Sequence, residues 1–99
     1  MPRNEHEGQK VAKNRGILIR KTPNSDYLIY NPDNDSLFRV NQLGYDIYKL
    51  CNSGNDSKSI ARTIAKKHQI KTDQGAIVRE VQSFLIGLEA GGIVHRIRA

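Results

Sequence analysis

From Gly16 onward, apolar residues come first in short bursts between turn-forming residues and then in longer stretches at helical spacing. Ile17-Leu18-Ile19 is a β-branched run ended by Thr22-Pro23-Asn24-Ser25, which predicts a strand and a turn. Tyr27-Leu28-Ile29-Tyr30 predicts a second strand, closed by Asn31-Pro32-Asp33-Asn34-Asp35. In that turn Pro32 pre-sets φ for the second position, and Asn34 tolerates a left-handed conformation. Ser36-Leu37-Phe38-Arg39-Val40 predicts a third strand. Connections this short join the three as an antiparallel meander.

The period then changes. Asn41 is an expected N-cap for a helix with Leu43, Ile47, Leu50 and Cys51 on one face, stopped near Gly54. Ser57 or Asp56 caps a second, in which Ile60, Ala61, Ile64 and Ala65 recur at helical spacing. Thr72 or Asp73 opens a third, with Ile77, Val81, Phe84, Leu85 and Leu88 inward and Gly91-Gly92 at its end. Ile93 to Ile97 suits a short terminal strand. Residues 1–14 hold one Val and one Ala among mixed charges and are expected to be a flexible basic tail, leaving 15–97 as the folded unit. Strands first and helices afterwards argue for an α+β domain with the helices on one side of the sheet.

Ninety-nine residues make one domain with one modest core. A single cysteine, Cys51, excludes an internal disulfide and a multi-cysteine zinc site. The first residues lack the apolar run of a signal peptide, and no apolar run approaches the length of a membrane span. A cytoplasmic protein with no membrane association is the expectation. Sixteen Lys and Arg against ten Asp and Glu give a net charge of +6, which attracts anionic partners.

Candidate chemistry is sparse. His6, His68 and His95 have no second ligand at metal-binding spacing. Cys51 falls on an apolar helix face and reads as a core residue. Most carboxylates, including Asp26, Asp33, Asp35 and Asp56, lie at turns, where Asp serves local hydrogen bonding. Gly91-Gly92 lacks the strand–helix context of a phosphate loop. The expectation is a binding module without catalytic residues, metal or cofactor.

Two features ask for a partner. Ile17 and Ile19 point opposite to Leu18, and Tyr27 and Ile29 opposite to Leu28 and Tyr30, so the strands are apolar on both faces while helices cover only one. A meander also leaves two edges with unpaired backbone groups. A homodimer contact would use such surfaces, and so would an extended peptide added as a further strand. Each added hydrogen bond nets about 0.5–1.5 kcal/mol, whereas ordering a disordered segment costs about 2–5 kcal/mol. Buried Leu- or Ile-sized anchors, at about 1.5–3 kcal/mol each, must supply the difference. The site therefore requires an apolar groove beside the strand edge, with the third helix as its second wall.

The stretch from Tyr27-Leu28-Ile29-Tyr30-Asn31-Pro32 through Leu37-Phe38-Arg39-Val40-Asn41 resembles the PqqD-like family. So do Ile47-Tyr48-Lys49-Leu50, Ser57-Lys58-Ser59-Ile60-Ala61 and Val78-x-x-Val81-x-x-Phe84-Leu85-x-x-Leu88. These modules are the RiPP recognition elements of ribosomal peptide natural-product pathways, and the resemblance covers about residues 16–94. Two departures are visible: Asn52-Ser53-Gly54-Asn55-Asp56 stands where many relatives have Asp-Gly, and the N-terminal tail is long. The resemblance implies a winged-helix-like domain that binds the leader region of a precursor peptide along the third strand and third helix. It implies delivery of that leader to a modifying enzyme: a radical SAM enzyme, a cyclase or a leader peptidase. Carried over, the peptide-binding residues are Ser36, Leu37, Phe38, Arg39 and Val40 on the strand and Ile77, Val78, Arg79, Val81, Gln82 and Leu85 on the helix. Arg39 and Arg79 are the candidates for leader carboxylates.

The alternative is a winged-helix nucleic-acid-binding protein. Lys58, Arg62 and Lys66 fall at i, i+4, i+8 on the second helix, with Lys67 and Lys71 extending the stripe. Against it, the third helix mixes Arg79 and Gln82 with Asp73, Glu80 and Glu89, where a recognition helix presents basic and amide groups to base edges.

Overall fold

Side-chain alternation across the meander decides where the core lies, and the register makes it explicit. The computed structural model describes residues 8–97. Its elements, in order, are β1 (Val11–Lys13), β2 (Leu18–Lys21), β3 (Tyr27–Asn31), β4 (Ser36–Val40), α1 (Gln42–Lys49), α2 (Ser57–Lys67), α3 (Gln74–Ala90) and β5 (Val94–Arg96). The sheet order β2-β3-β4 is the expected antiparallel meander. Ile19, Ile29 and Phe38 are aligned across it, as are Lys21, Tyr27 and Val40, on the face toward the helices. On the other face Leu18, Tyr30 and Leu37 form one row and Arg20, Leu28 and Arg39 the next. Leu18 and Leu37 remain more than half exposed.

The helices close over the inner face. Ile29, Ile60, Ile64, Leu85, Leu88 and Ile93 are essentially sealed from solvent, each contributing about 1.5–3 kcal/mol of burial. Every expected helix start is occupied by a capping side chain: Asn41 accepts from Gly44 N, Asp56 from Ser59 N and Asp73 from Ala76 N. Both longer helices end in paired turn bonds that fold the chain back. In α2 these are Gln69 N to Lys66 O and Ile70 N to Ala65 O, with Gln69 at φ 54°. In α3 they are Gly92 N to Glu89 O and Ile93 N to Leu88 O, with Gly92 at φ 70°. The first helix stops at Lys49, before Gly54, because Leu50 caps it.

Two expectations are corrected. The tail was expected to run through residue 14, but Val11–Lys13 form β1, paired antiparallel with β5, and Val11 is fully buried. Backbone bonds from Val11 N to Asn55 O, Ser53 N to Val11 O and Ile97 N to Lys10 O hold it there. Three residues in a polar stretch carry no period, and their partner strand lies some eighty positions away in the chain, so only tertiary pairing reveals the strand. Residues 1–7 of the expected tail, His6 among them, lie outside the described residues. In the β3–β4 turn the left-handed residue is Asp35 (φ 60°), not Asn34.

A buried carboxylate ties the helices together. Asp46 in α1 is almost inaccessible and accepts from Gln42 Nε2 at 2.9 Å, while His68 Nε2 lies 2.9 Å, Lys67 Nζ 3.1 Å and Lys49 Nζ 3.4 Å away. Burial alone would raise its pKa, but these four partners outweigh it and hold the group at about 2, against an ordinary 3.8. Lys67 and His68 bring α2's C-terminal end, where cations are favoured, against α1.

Because the folded pKa of Asp46 lies below its unfolded value, its stabilisation is complete above about pH 4 and disappears as pH falls toward 2. Asp46→Asn is expected to cost about 2 kcal/mol at pH 7 and to flatten the acid limb of the stability curve. Urea denaturation from pH 7 to 2 measures both; an unchanged acid limb would remove Asp46 as the hub.

Candidate functional site

The edge of β4 is where the fold leaves backbone unpaired. β4 pairs with β3 on one side, and among the described residues no strand pairs with it on the other. Beside it is an open-mouthed cavity of about 780 Å³, within the size range of ligand sites. Arg39 and Val40 form its strand side, and Leu43, Gly44 and Ile47 of α1 its floor. Ile64 and Ile70 continue the floor from α2 and the turn after it, and Ala76, Ile77, Glu80, Val81 and Phe84 form the α3 wall. The lining is thus predominantly hydrocarbon, with Asp26, Arg39 and Glu80 as its charged members.

The helical period explains which side of α3 is used. Ile77, Val81, Leu85 and Leu88 point into the core; the flank turned toward β4 carries Ala76, Glu80 and Phe84, spaced i, i+4, i+8. Gly87 continues that flank, with open space where a Cβ would stand. Gly44 lets Val40 and Phe84 pack closely onto α1: a Cβ there would lie 2.9 Å from Val40 Cβ and 3.3 Å from Phe84 Cζ.

At its other end the space between β4 and α3 is shut. Asn31 Nδ2 donates to the carbonyls of Gly91 (3.2 Å) and Gly92 (3.1 Å), and Asn34 Nδ2 donates to Gly91 O (3.0 Å). Asn14 Nδ2 donates to Gly92 O (2.6 Å). These carbonyls end α3 and need donors from outside the helix. The hairpin tip is therefore stapled to the helix terminus, and the ring of Phe38 rests on Gly91, where a Cβ would fall 2.5 Å from Phe38 Cε2. The hairpin tip is thus closed against α3, and the cavity lies beside the end of β4 that runs into α1.

Of the residues expected from the sequence, Arg39, Val40, Ile77 and Val81 meet at the cavity. Ser36 and Phe38 sit at the closed end near Gly91, and Leu37 projects from the opposite sheet face. Leu85 is wholly buried and so cannot be presented to a guest chain. Val78 and Gln82 occupy the flank of α3 away from β4, by the same helical period. Arg79 points back along the solvent side: a Cβ on Gly75 would lie 3.5 Å from Arg79 Nη1 and 3.1 Å from Asp73 Oδ2. Arg39 is already engaged, its Nε 3.0 Å from Asp26 Oδ2.

Sequence reasoning missed Glu80 and Phe84 as the wall, and Leu43, Gly44, Ile47, Ile64 and Ile70 as the floor. Phe84 was legible as apolar and inward on the third helix, yet assigned to the core; the flank distinction needed the position of β4. Nearby, Cys51 is fully buried, and burial pushes its thiol up to about 12, despite the opposing pull of Lys13 and Arg96. A thiol held protonated in this way is no nucleophile at neutral pH. Among the described residues no three His, Cys, Asp or Glu side chains converge to hold a metal ion, and no helix is long and apolar enough to cross a membrane.

The steric staple at the closed end is testable. Gly91 has φ −84°, so Gly91→Ala carries no backbone strain, and any loss reports the Phe38 contact. A destabilisation of about 1–3 kcal/mol with displaced Phe38 ring resonances is expected; unchanged stability and ring shifts would show that the end is loose.

Comparison with known proteins supplies the context. The fold is shared with the structure titled TbiB1 in complex with the TbiA(beta) leader peptide, at TM-score 0.70 and 14% identity over 89% of this chain and 99% of that one. It is shared equally with lasso peptide synthetase B1 complexed with the leader peptide, at TM-score 0.70 and 10% identity over 87% and 98%. A third is the PqqD truncation of Methylobacterium extorquens PqqCD, described as a functional, stand-alone RiPP recognition element, at TM-score 0.68 and 18% identity over 87% and 88%. No curated protein sequence matches the chain. The sequence profile of coenzyme PQQ synthesis protein D (PqqD) matches residues 26–94, which takes in every element from β3 to α3 and the start of β5, and the chain belongs to that family.

Proposed function

We propose that this protein is a non-enzymatic adaptor that binds the leader region of a precursor peptide by strand addition to β4 and presents it to a modifying enzyme. The observation that carries this reading is the unpaired edge of β4 lying beside an apolar cavity whose far wall is α3. Backbone pairing alone would scarcely offset the ordering of a disordered segment. One or two bulky side chains seated against the half-buried Leu43, Ile70 and Phe84 of the lining provide the surplus. The other sheet edge, β2, is exposed at every residue. Membership of the PqqD family and the leader-peptide complexes of similarly folded proteins support the same assignment. The enzyme served is of the radical SAM, cyclase or leader-peptidase kind, and a reducing cytoplasmic setting agrees with the single buried thiol.

The basic stripe of α2, with Arg62 and Lys66 exposed, does not line the cavity. The function proposed here therefore makes no use of it.

Isothermal titration with the leader peptide of its own precursor tests the assignment. Phe84→Asp, in protein still folded by circular dichroism, is expected to weaken binding at least about tenfold, or 1.4 kcal/mol. Reversing Arg62 and Lys66 to Glu is expected to change it by no more than about threefold, as exposed charges distant from a site do. Undiminished affinity in Phe84→Asp would reject the groove.

A further inference from the structure

We infer, resting on the peptide-binding reading above, that the groove selects a guest carrying a Lys or Arg close to its bulky apolar anchor, with Glu80 as the residue that selects it. The whole chain has a net charge of +6, which by itself would favour acidic guests. The mouth of the cavity has the opposite character. Its charged lining residues are Asp26, Arg39 and Glu80, and the cation among them is neutralised by Asp26 at 3.0 Å. A guest carboxylate at Arg39 would have to compete with Asp26 for the same guanidinium, so the role expected of Arg39 from the sequence passes to a different residue with the opposite preference.

Glu80 is left as the uncompensated charge. The other acids on the helices and their caps have structural work: Asp46 holds Gln42, Lys67, His68 and Lys49, Asp56 and Asp73 cap α2 and α3, and Glu89 reaches Arg96. Glu80 has no ion-pair or hydrogen-bond partner among the described residues, and it stands one turn from Ala76 and one from Phe84 on the flank that faces β4. A guest strand along β4 passes between this carboxylate and the strand. Glu80 is exposed at the mouth, where it is free to meet a guest's cation and where salt screens the contact.

Display selection tests the inference without knowledge of the natural guest. A random twelve-residue peptide library is selected separately on the full chain, on Glu80→Lys and on Phe84→Asp. The expected result is that the wild-type pool combines a large aliphatic or aromatic residue with Lys or Arg within about three positions, while the Glu80→Lys pool exchanges that cation for Asp or Glu. Synthetic peptides differing only Lys-to-Glu at that position should differ about five- to tenfold on the wild-type chain, with the order inverted on Glu80→Lys and the gap narrowed at high salt. The same charge preference on both proteins, or acidic enrichment by the wild type, overturns the role of Glu80 while leaving the groove standing. Pools that bind Phe84→Asp as well as wild type, or no enrichment at all, overturn the groove itself and the inference with it.

Discussion

The carbonyls that end α3 have no partners within the helix, and the way they are satisfied shapes the molecule. Asn31 and Asn34, at the tip of the β3–β4 hairpin, donate their amides to Gly91 and Gly92. Each bond is of ordinary net strength, about 0.5–1.5 kcal/mol, but leaving the buried carbonyls bare would cost more. The hairpin tip therefore cannot leave the helix terminus. That end is fastened, with Phe38 packed on a residue that has no side chain, and the cavity lies beside the other end of β4, at Arg39 and Val40.

Beside the cavity's strand side, α1 and the end of α2 form a floor, and Asp46 fixes the two helices to each other through Lys67 and His68. A strand edge is a liability in most proteins because it invites unspecific pairing. On the proposed reading the edge of β4 lies beside an apolar cavity, so pairing is useful only to a chain that also brings a suitable anchor. On the same reading, affinity and selectivity come from separate groups: backbone and apolar wall for the first, the charges at the mouth for the second.

Much of this was legible in the residues themselves. The meander, the three helices and the Asn41 cap followed from short β-branched runs, turn residues and helical spacing, because each is a local matter. The other two caps were narrowed to Ser57 or Asp56 and Thr72 or Asp73, of which Asp56 and Asp73 serve. The strand β1 was not legible, since Val11 and Ala12 carry no period and gain their place only by pairing with β5. The site was half legible. Arg39, Val40, Ile77 and Val81 could be named because strand edge and helix face are readable separately. The remaining wall could not, because whether residues 78 and 82 or 80 and 84 face the strand depends on how α3 is set by the clamp at Gly91 and Gly92. Asn34 illustrates the same limit: its turn propensity was visible, while its use as a donor to a helix some fifty-seven positions away was not.

Amide hydrogen exchange along β4, with and without the leader peptide of its precursor, tests the central claim most directly. Strand addition predicts that the peptide slows exchange at the outward-facing amides of Ser36–Val40 and leaves Leu18–Lys21 on the far edge unaffected. Unaltered exchange on β4, with protection appearing at β2 or along α2 instead, would contradict it.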